Sequence, residues 1–278
     1  MIKAGRFLLS LDTPLVMGIV NVTPDSFSDG GRFLSHQAAI SHALQLVADG
    51  ADILDIGGES TRPGAAPASA QEELDRVMPV IHALASGNTP LSIDTQKPVV
   101  MAEAIRAGVS MVNDVSALRA PGALEICAAS DSAVCLMHMQ GEPRTMQENP
   151  TYGDVVAEVR SFLLARVEAC IAVGIARKRI VVDPGFGFGK SLDHNLALLR
   201  QLDAFASLGL PVLAGLSRKA MFKALLDRET SDRLVPSVVA AVIAAQHGAS
   251  ILRVHDVRET RDALVLWKAT SRPPLSRQ

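Results

Sequence analysis

The chain lacks most features that mark nucleic-acid, membrane or secreted proteins. Its 27 basic and 29 acidic residues leave a formal charge of −2, so it has no basic footprint for nucleic acid. No apolar run approaches the roughly 18 residues that a membrane span needs. The N-terminal stretch MIKAGRFLLSLDTP is too briefly apolar for a secretory signal and has no convincing cleavage site. Cysteine is scarce. Cys127, Cys135 and Cys170 make no C-x-x-C pair, and they read as reduced, packed thiols of a cytoplasmic protein. Without paired ligand spacing a zinc site is not expected. No dinucleotide fingerprint follows the first apolar run, which argues against a doubly wound open sheet, the main alternative fold.

What is present is alternation. Eight apolar strand-like runs are each followed by a helical-looking stretch. Such alternation implies parallel strands joined by right-handed crossovers. With 278 residues and 48% hydrophobic composition, the chain can fill the roughly 250-residue (β/α)8 plan. The expected fold class is therefore α/β: a single (β/α)8 TIM barrel domain over 1–278, with long loops after strands 1, 2 and 5. Those loops are read at 22–35, 58–69 and 140–152. Long loops on a compact barrel commonly serve as lids. Helices are expected at about 37–49, with apolar Ile40, Leu44 and Val47 at helical spacing, and at about 70–84, with Leu74, Val77, Val80, Ile81 and Leu84 as a buried stripe. A third helix ends at Gly108, and further ones fall near 122–129, up to 173, at 194–202 and at 258–269. The helical region after the seventh run is broken near 228–232.

The ends of the runs carry the chemistry. Asn21, Asp94, Asn113, Asp183 and the Arg253-Val254-His255 triplet all stand where apolar runs stop. One barrel edge gathering such groups is how this fold builds an active site. A single Asp or Asn after a strand is ordinarily a helix cap, but several at one mouth suit a heterocycle bearing amino and imino hydrogens. A carboxylate can hold an amino-pyrimidinone through two parallel bonds, as it holds arginine. The Gly185–Lys190 stretch fails the phosphate-loop spacing, because position 184 is Pro184. It reads instead as a turn that lets backbone approach a flat ligand, with Phe188 as a wall. Arg253 and His255 can both point inward around Val254 and form an anion pair. Arg218 reads equally well as a surface ion-pair residue.

These motifs resemble dihydropteroate synthase. The resemblance rests on MGIVNVTPDSFSDGG at 17–31, DIGGESTRPGA at 55–65, SIDT at 92–95, VNDVSA at 112–117, MHMQGEPRTMQ at 137–147, DPGFGFGK at 183–190, GLSRK at 215–219 and LRVHDV at 252–257. It covers essentially the whole chain, and the first loop and ESTRPG are its most specific parts. It implies a transferase of folate biosynthesis, in which the amine of p-aminobenzoate displaces diphosphate from 6-hydroxymethyl-7,8-dihydropterin diphosphate. By resemblance, Asp94, Asn113, Asp183 and Lys219 bind the pterin between Met137 and Phe188. Asn21 looks like the ligand near Mg²⁺, and Arg253 and His255 like the diphosphate clamp. Phe27, Thr61, Arg62, Pro63, Lys219 and Ala220 fall around p-aminobenzoate, where sulfonamides are expected to inhibit. Ala220 departs from the Ser that commonly follows Ser-Arg-Lys in the family. The resemblance also implies a homodimer; the apolar run at 235–245 could serve that face or simply pack on the barrel. A pterin-dependent corrinoid methyltransferase and a non-catalytic pterin-binding paralogue are the alternatives. The first should lack the first-loop motif, and the second should have lost anion-site residues.

Overall fold

The structure is a computed structural model that describes residues 1–23, 31–60, 67–142 and 145–270, with 31–35 as backbone only. A short antiparallel hairpin comes first, β1 (Ile2–Ala4) and β2 (Phe7–Leu9). The alternating series then opens with β3 (Leu15–Asn21), α1 (Gly31–Ala48), β4 (Ile53–Gly57), α2 (Ala70–Leu84) and β5 (Leu91–Asp94). It continues through α3 (Pro98–Arg106), β6 (Met111–Asp114), α4 (Ala123–Ala128), β7 (Ala133–Met137), α5 (Val155–Ala172) and β8 (Ile180–Asp183). The last third holds α6 (Leu192–Arg200), α7 (Asp203–Ala206), β9 (Leu213–Ala214), α8 (Met221–Leu226), α9 (Leu234–Gln246), β10 (Ile251–Val254) and α10 (Val257–Thr270).

Strands β3 to β10 pair in parallel in the order β8-β7-β6-β5-β4-β3-β10-β9. The remaining seam, between β8 and β9, is joined by one bridge from Val182 to Val212, with the Val182 N–H donating to Pro211 O at 3.0 Å. Eight parallel strands curled in this way are the (β/α)8 barrel that the alternation predicts.

Period-two geometry sorts every strand into an inner and an outer set. Val16, Val20, Leu54, Ile56, Ile93, Val112, Leu136, Val182, Leu252 and Val254 pack outward in the core shared with the helices. Met17, Ile53, Met111, Cys135, Val181, Leu213 and Ile251 form a separate cluster inside the barrel. Continuing the inner phase toward the C-terminal ends leads to Asn21, Asp55, Asp94, Asn113, Met137, Asp183 and Arg253. The apolar inner layer thus supports a polar one.

The hairpin was not expected from the sequence. Ile2 and Ala4 are fully buried in the inner cluster and close the barrel's N-terminal end. Helix α2 has the expected bounds and a capping box, Ser69 with Glu72. Helix α1 differs: it starts at Gly31 rather than near 37, and Leu44 is exposed while Ala39, Ala43 and Leu46 are buried. Small alanines let this helix lie close to the sheet, where the Leu46 side chain already crowds the space beside Gly18. The expected break after β9 is a 3-10 turn at Thr230–Asp232. Among the described residues no helix is long and apolar enough to cross a membrane. All three cysteines are buried and free. Much of the expected long loops, 24–30, 61–66 and 143–144, lies outside the described residues.

Candidate active site

The C-terminal ends of the strands come together by register. Asn21 pairs with Gly57, Gly57 with Asp94 and Asp94 with Asn113, while Met137 pairs with Asp183 across β7 and β8. A cavity at this mouth is lined by Asp94, Asn113, Asp183, Lys219 and Arg253 on its polar side. Val115, Met137, Phe186 and Phe188 supply apolar walls. Val115, Met137, Met139 and Met146 form one buried cluster against which Phe188 packs. A more voluminous groove, about 610 Å³, lies beside Met1, Leu11 and Pro211 and has no carboxylate in its lining.

Arg253 links the polar groups. Its Nε donates to Asp55 Oδ2 at 2.6 Å and its Nη2 to Asp94 Oδ2 at 2.7 Å. Asn113 Nδ2 donates to the same Asp55 oxygen at 3.0 Å. Burial opposes the Arg253 charge, yet Asp55 and Asp94 hold its pKa above the ordinary value. Burial pushes the Asp94 carboxyl up to about 7, against the pull of Arg253. Burial likewise raises Asp183 to about 6, although Gly185 N–H donates to its Oδ1 at 2.7 Å and Lys219 stands nearby. Burial lowers Lys219 to about 8, with Asp183 opposing. The Lys219 ammonium lies 4.3 Å from the centroid of the Phe188 ring, a cation–π contact.

The expected residues are distributed as follows. Asp94, Asn113, Met137, Asp183, Phe188, Lys219 and Arg253 share one cavity. Asn21 stands at the end of β3, in the inner phase but not in the cavity lining. His255 follows β10, with Nδ1 3.0 Å from Ser217 Oγ. Ala220 is exposed at the start of α8 and makes no side-chain cap bond. Phe27, Thr61, Arg62 and Pro63 lie outside the described residues.

Arg253 and His255 are not a ready-made pair of cations: the guanidinium is held by two carboxylates. Burial, with Arg218 and Arg253 nearby, pulls the His255 imidazole down to about 3, so it is neutral at neutral pH. Arg218 takes its surface reading, bonding Asp256 at 2.5 Å.

Asp55 is the residue the sequence reading missed. It is fully buried, it takes both Arg253 and Asn113 on one oxygen, and its Oδ1 has no partner among the described residues. Its signal was a carboxylate inside the apolar run ILDIG, in phase with Ile53 below it. A second missed group lies beneath the 58–69 loop. Lys97 Nζ bonds Glu59 at 2.8 Å and the buried Glu73 at 2.6 Å, and Glu59 Oε1 accepts the Ala68 N–H at 2.9 Å. This ties both stems of the loop to the start of α3.

A barrel mouth offering carboxylates and an amide between apolar walls defines a class: enzymes that bind a flat heterocycle rich in N–H donors. The profile of the family described as "Pterin binding enzyme" matches residues 17–255. A dihydropteroate synthase of Haemophilus influenzae is 50% identical over 269 residues, covering 96% of this chain and 98% of that protein. The Xanthomonas albilineans dihydropteroate synthase solved with 4-aminobenzoic acid superposes with a TM-score of 0.91 at 53% identity, over 96% of both chains. The Yersinia pestis enzyme in a sulfonamide drug complex gives 0.92 at 49% identity, over 97% and 98%. The Burkholderia cenocepacia enzyme complexed with 7,8-dihydropteroate gives 0.88 at 48%, over 96% and 95%. The chain belongs to the dihydropteroate synthase family.

Proposed function

We propose that the chain joins p-aminobenzoate to 6-hydroxymethyl-7,8-dihydropterin diphosphate, forming 7,8-dihydropteroate and releasing diphosphate. The observation that carries this reading is the convergence of Asp94, Asn113, Asp183 and Lys219 on one cavity walled by Met137 and Phe188. Carboxylates and an amide there match the N–H donors of a pterin, and the apolar walls match its two faces. In the reaction the exocyclic C–O bond breaks, and its electrons leave with diphosphate. The aryl amine nitrogen bonds that carbon and then loses its proton. An aryl amine is neutral at pH 7, so the residues have more to do for the leaving group than for the nucleophile. The buried carboxylates Asp94 and Asp183 stabilise positive charge developing on the pterin, which favours a dissociative displacement.

Diphosphate binding re-sorts the cations. An arriving anion would compete with Asp55 and Asp94 for Arg253 and would raise the low pKa of His255. Among the described residues no group of three or more His, Cys, Asp or Glu could hold a metal. A Mg²⁺ that keeps most of its waters and takes phosphate oxygens needs only one or two protein oxygens. Asn21, at the end of β3, would be the residue that holds such an ion, which would supply charge neutralisation for the departing diphosphate. Phe27, Thr61, Arg62 and Pro63 would enclose p-aminobenzoate, together with Lys219 and Ala220, and sulfonamides would compete there. The buried free thiols suit a reducing cytoplasm. Exposed Val235 and Val239 on α9, beside exposed Val265 and Leu266 on α10, suit a homodimer face.

Calorimetry tests the site assignment. Arg253→Ala should weaken pterin diphosphate far more than an unphosphorylated pterin. Equal losses for both ligands would make Arg253 a structural residue and remove the diphosphate from this end of the site.

A further inference from the structure

The turn that carries Phe188 is closed by one backbone bond, from Phe188 N–H to Gly185 O at 3.1 Å. Gly185, Gly187 and Gly189 occupy left-handed conformations with φ of 70°, 79° and 62°. Side chains add further bonds to the turn. Asn195 Oδ1 accepts the Gly187 N–H at 2.7 Å, and Gln147 Nε2 donates to Gly187 O. The Tyr152 hydroxyl donates to Gly189 O at 2.8 Å. Lys190 Nζ donates to Phe188 O at 2.9 Å.

Lys190 reaches furthest of these. It is 3% exposed, and its ammonium also lies 3.0 Å from His138 Nδ1 and 3.3 Å from His138 O. His138 directly follows Met137 at the end of β7, and its ring packs edge-on against Phe162 of α5 at 4.9 Å. Lys190 therefore ties the Phe188 carbonyl to the end of β7, the strand that supplies Met137 to the same cavity. Among the described residues no carboxylate pairs with it, and burying an ammonium on those terms is costly. Burial lowers its pKa to about 7, with Asp183 opposing.

We infer that Lys190 and Tyr152 are positioning residues that fix the Phe188 wall against the pterin ring and so set pterin affinity without touching substrate. This rests on the pterin reading of the site. Lys190→Met should raise the Kd of an unphosphorylated pterin about tenfold, the scale of one lost hydrogen bond to a charged group. The KM for p-aminobenzoate should stay within about twofold, since the loss is confined to one wall. In a Phe188→Ala background the same substitution should add little, because the wall it positions is gone. If Lys190→Met does not fold, Tyr152→Phe removes only the hydroxyl on Gly189 and should give the same pterin-selective, Phe188-dependent loss, at about threefold. A loss that repeats in full without Phe188, or no loss at all, overturns the inference. A wild-type protein that binds no pterin overturns the reading of the site beneath it, whatever the variants do.

Discussion

Among the described residues, Asp55, Asp94 and Asp183 share the mouth of this barrel, yet they do different work. Asp55 is committed to Arg253 and Asn113, whereas Asp94 and Asp183 face the cavity with raised pKa values. The consequence for ligand binding has a definite sign. A pterin bound through its N–H donors needs carboxylate acceptors. Its affinity should therefore fall as pH drops through about 7 and about 6, where Asp94 and Asp183 take protons. It should fall again above about 8, where the Lys219 ammonium is lost. Calorimetry between those limits and beyond them checks this, and a flat profile would mean these groups do not meet the ligand. Ala220 gives a second test. Ala220→Ser restores a hydroxyl at the rim and should tighten p-aminobenzoate by at most about tenfold, the scale of one neutral hydrogen bond. Steady-state kinetics should show the pterin KM nearly unchanged. A change in pterin KM alone would place Ala220 beside the other substrate. Asp94, Asn113 and Asp183 were legible in the sequence because polar residues at the ends of apolar runs stand out. Asp55 did not, because it lies within a run, and only its inward phase marks it. The Lys97–Glu59–Glu73 cluster could not be read at all, since three separate segments meet there.

Among the elements, the glycine turn after β8 is the most constrained. A Cβ on Gly185 would come 1.9 Å from the His138 carbonyl oxygen, at a φ of 70° that side chains rarely adopt. Gly185→Ala should therefore cost at least about 2 kcal/mol of stability, since backbone strain and a clash with main chain act together. Urea denaturation measures it, and a cost below about 0.5 kcal/mol, the range of a bland surface change, would show the turn to be loose. Helix α2 was legible to its ends because its apolar stripe, cap and length agree. Helix α1 was not, because an apolar-stripe reading favours Leu44 over the small Ala39 and Ala43 that the close packing buries. The hairpin escaped because strands of three residues carry too little periodicity to distinguish them from a tail.

For the whole molecule, the barrel was legible because eight repeats of strand and helix leave few alternative closures. What the alternation does not encode is which outer surfaces stay free. Val235 and Val239 are 69% and 51% exposed, and Val265 and Leu266 are 62% and 66% exposed. Val235→Glu with Val239→Glu should convert a dimer to a folded monomer by light scattering. An unchanged mass would leave that face unused. The proposed reaction is tested by diphosphate release from 6-hydroxymethyl-7,8-dihydropterin diphosphate, followed with and without p-aminobenzoate. Sustained release with stoichiometric 7,8-dihydropteroate should require both substrates, and Asp183→Ala should lower kcat/KM by the equivalent of about 2–4 kcal/mol of transition-state stabilisation. Binding of the pterin with no dihydropteroate formed, in a folded wild-type protein supplied with Mg²⁺, would contradict the proposed reaction.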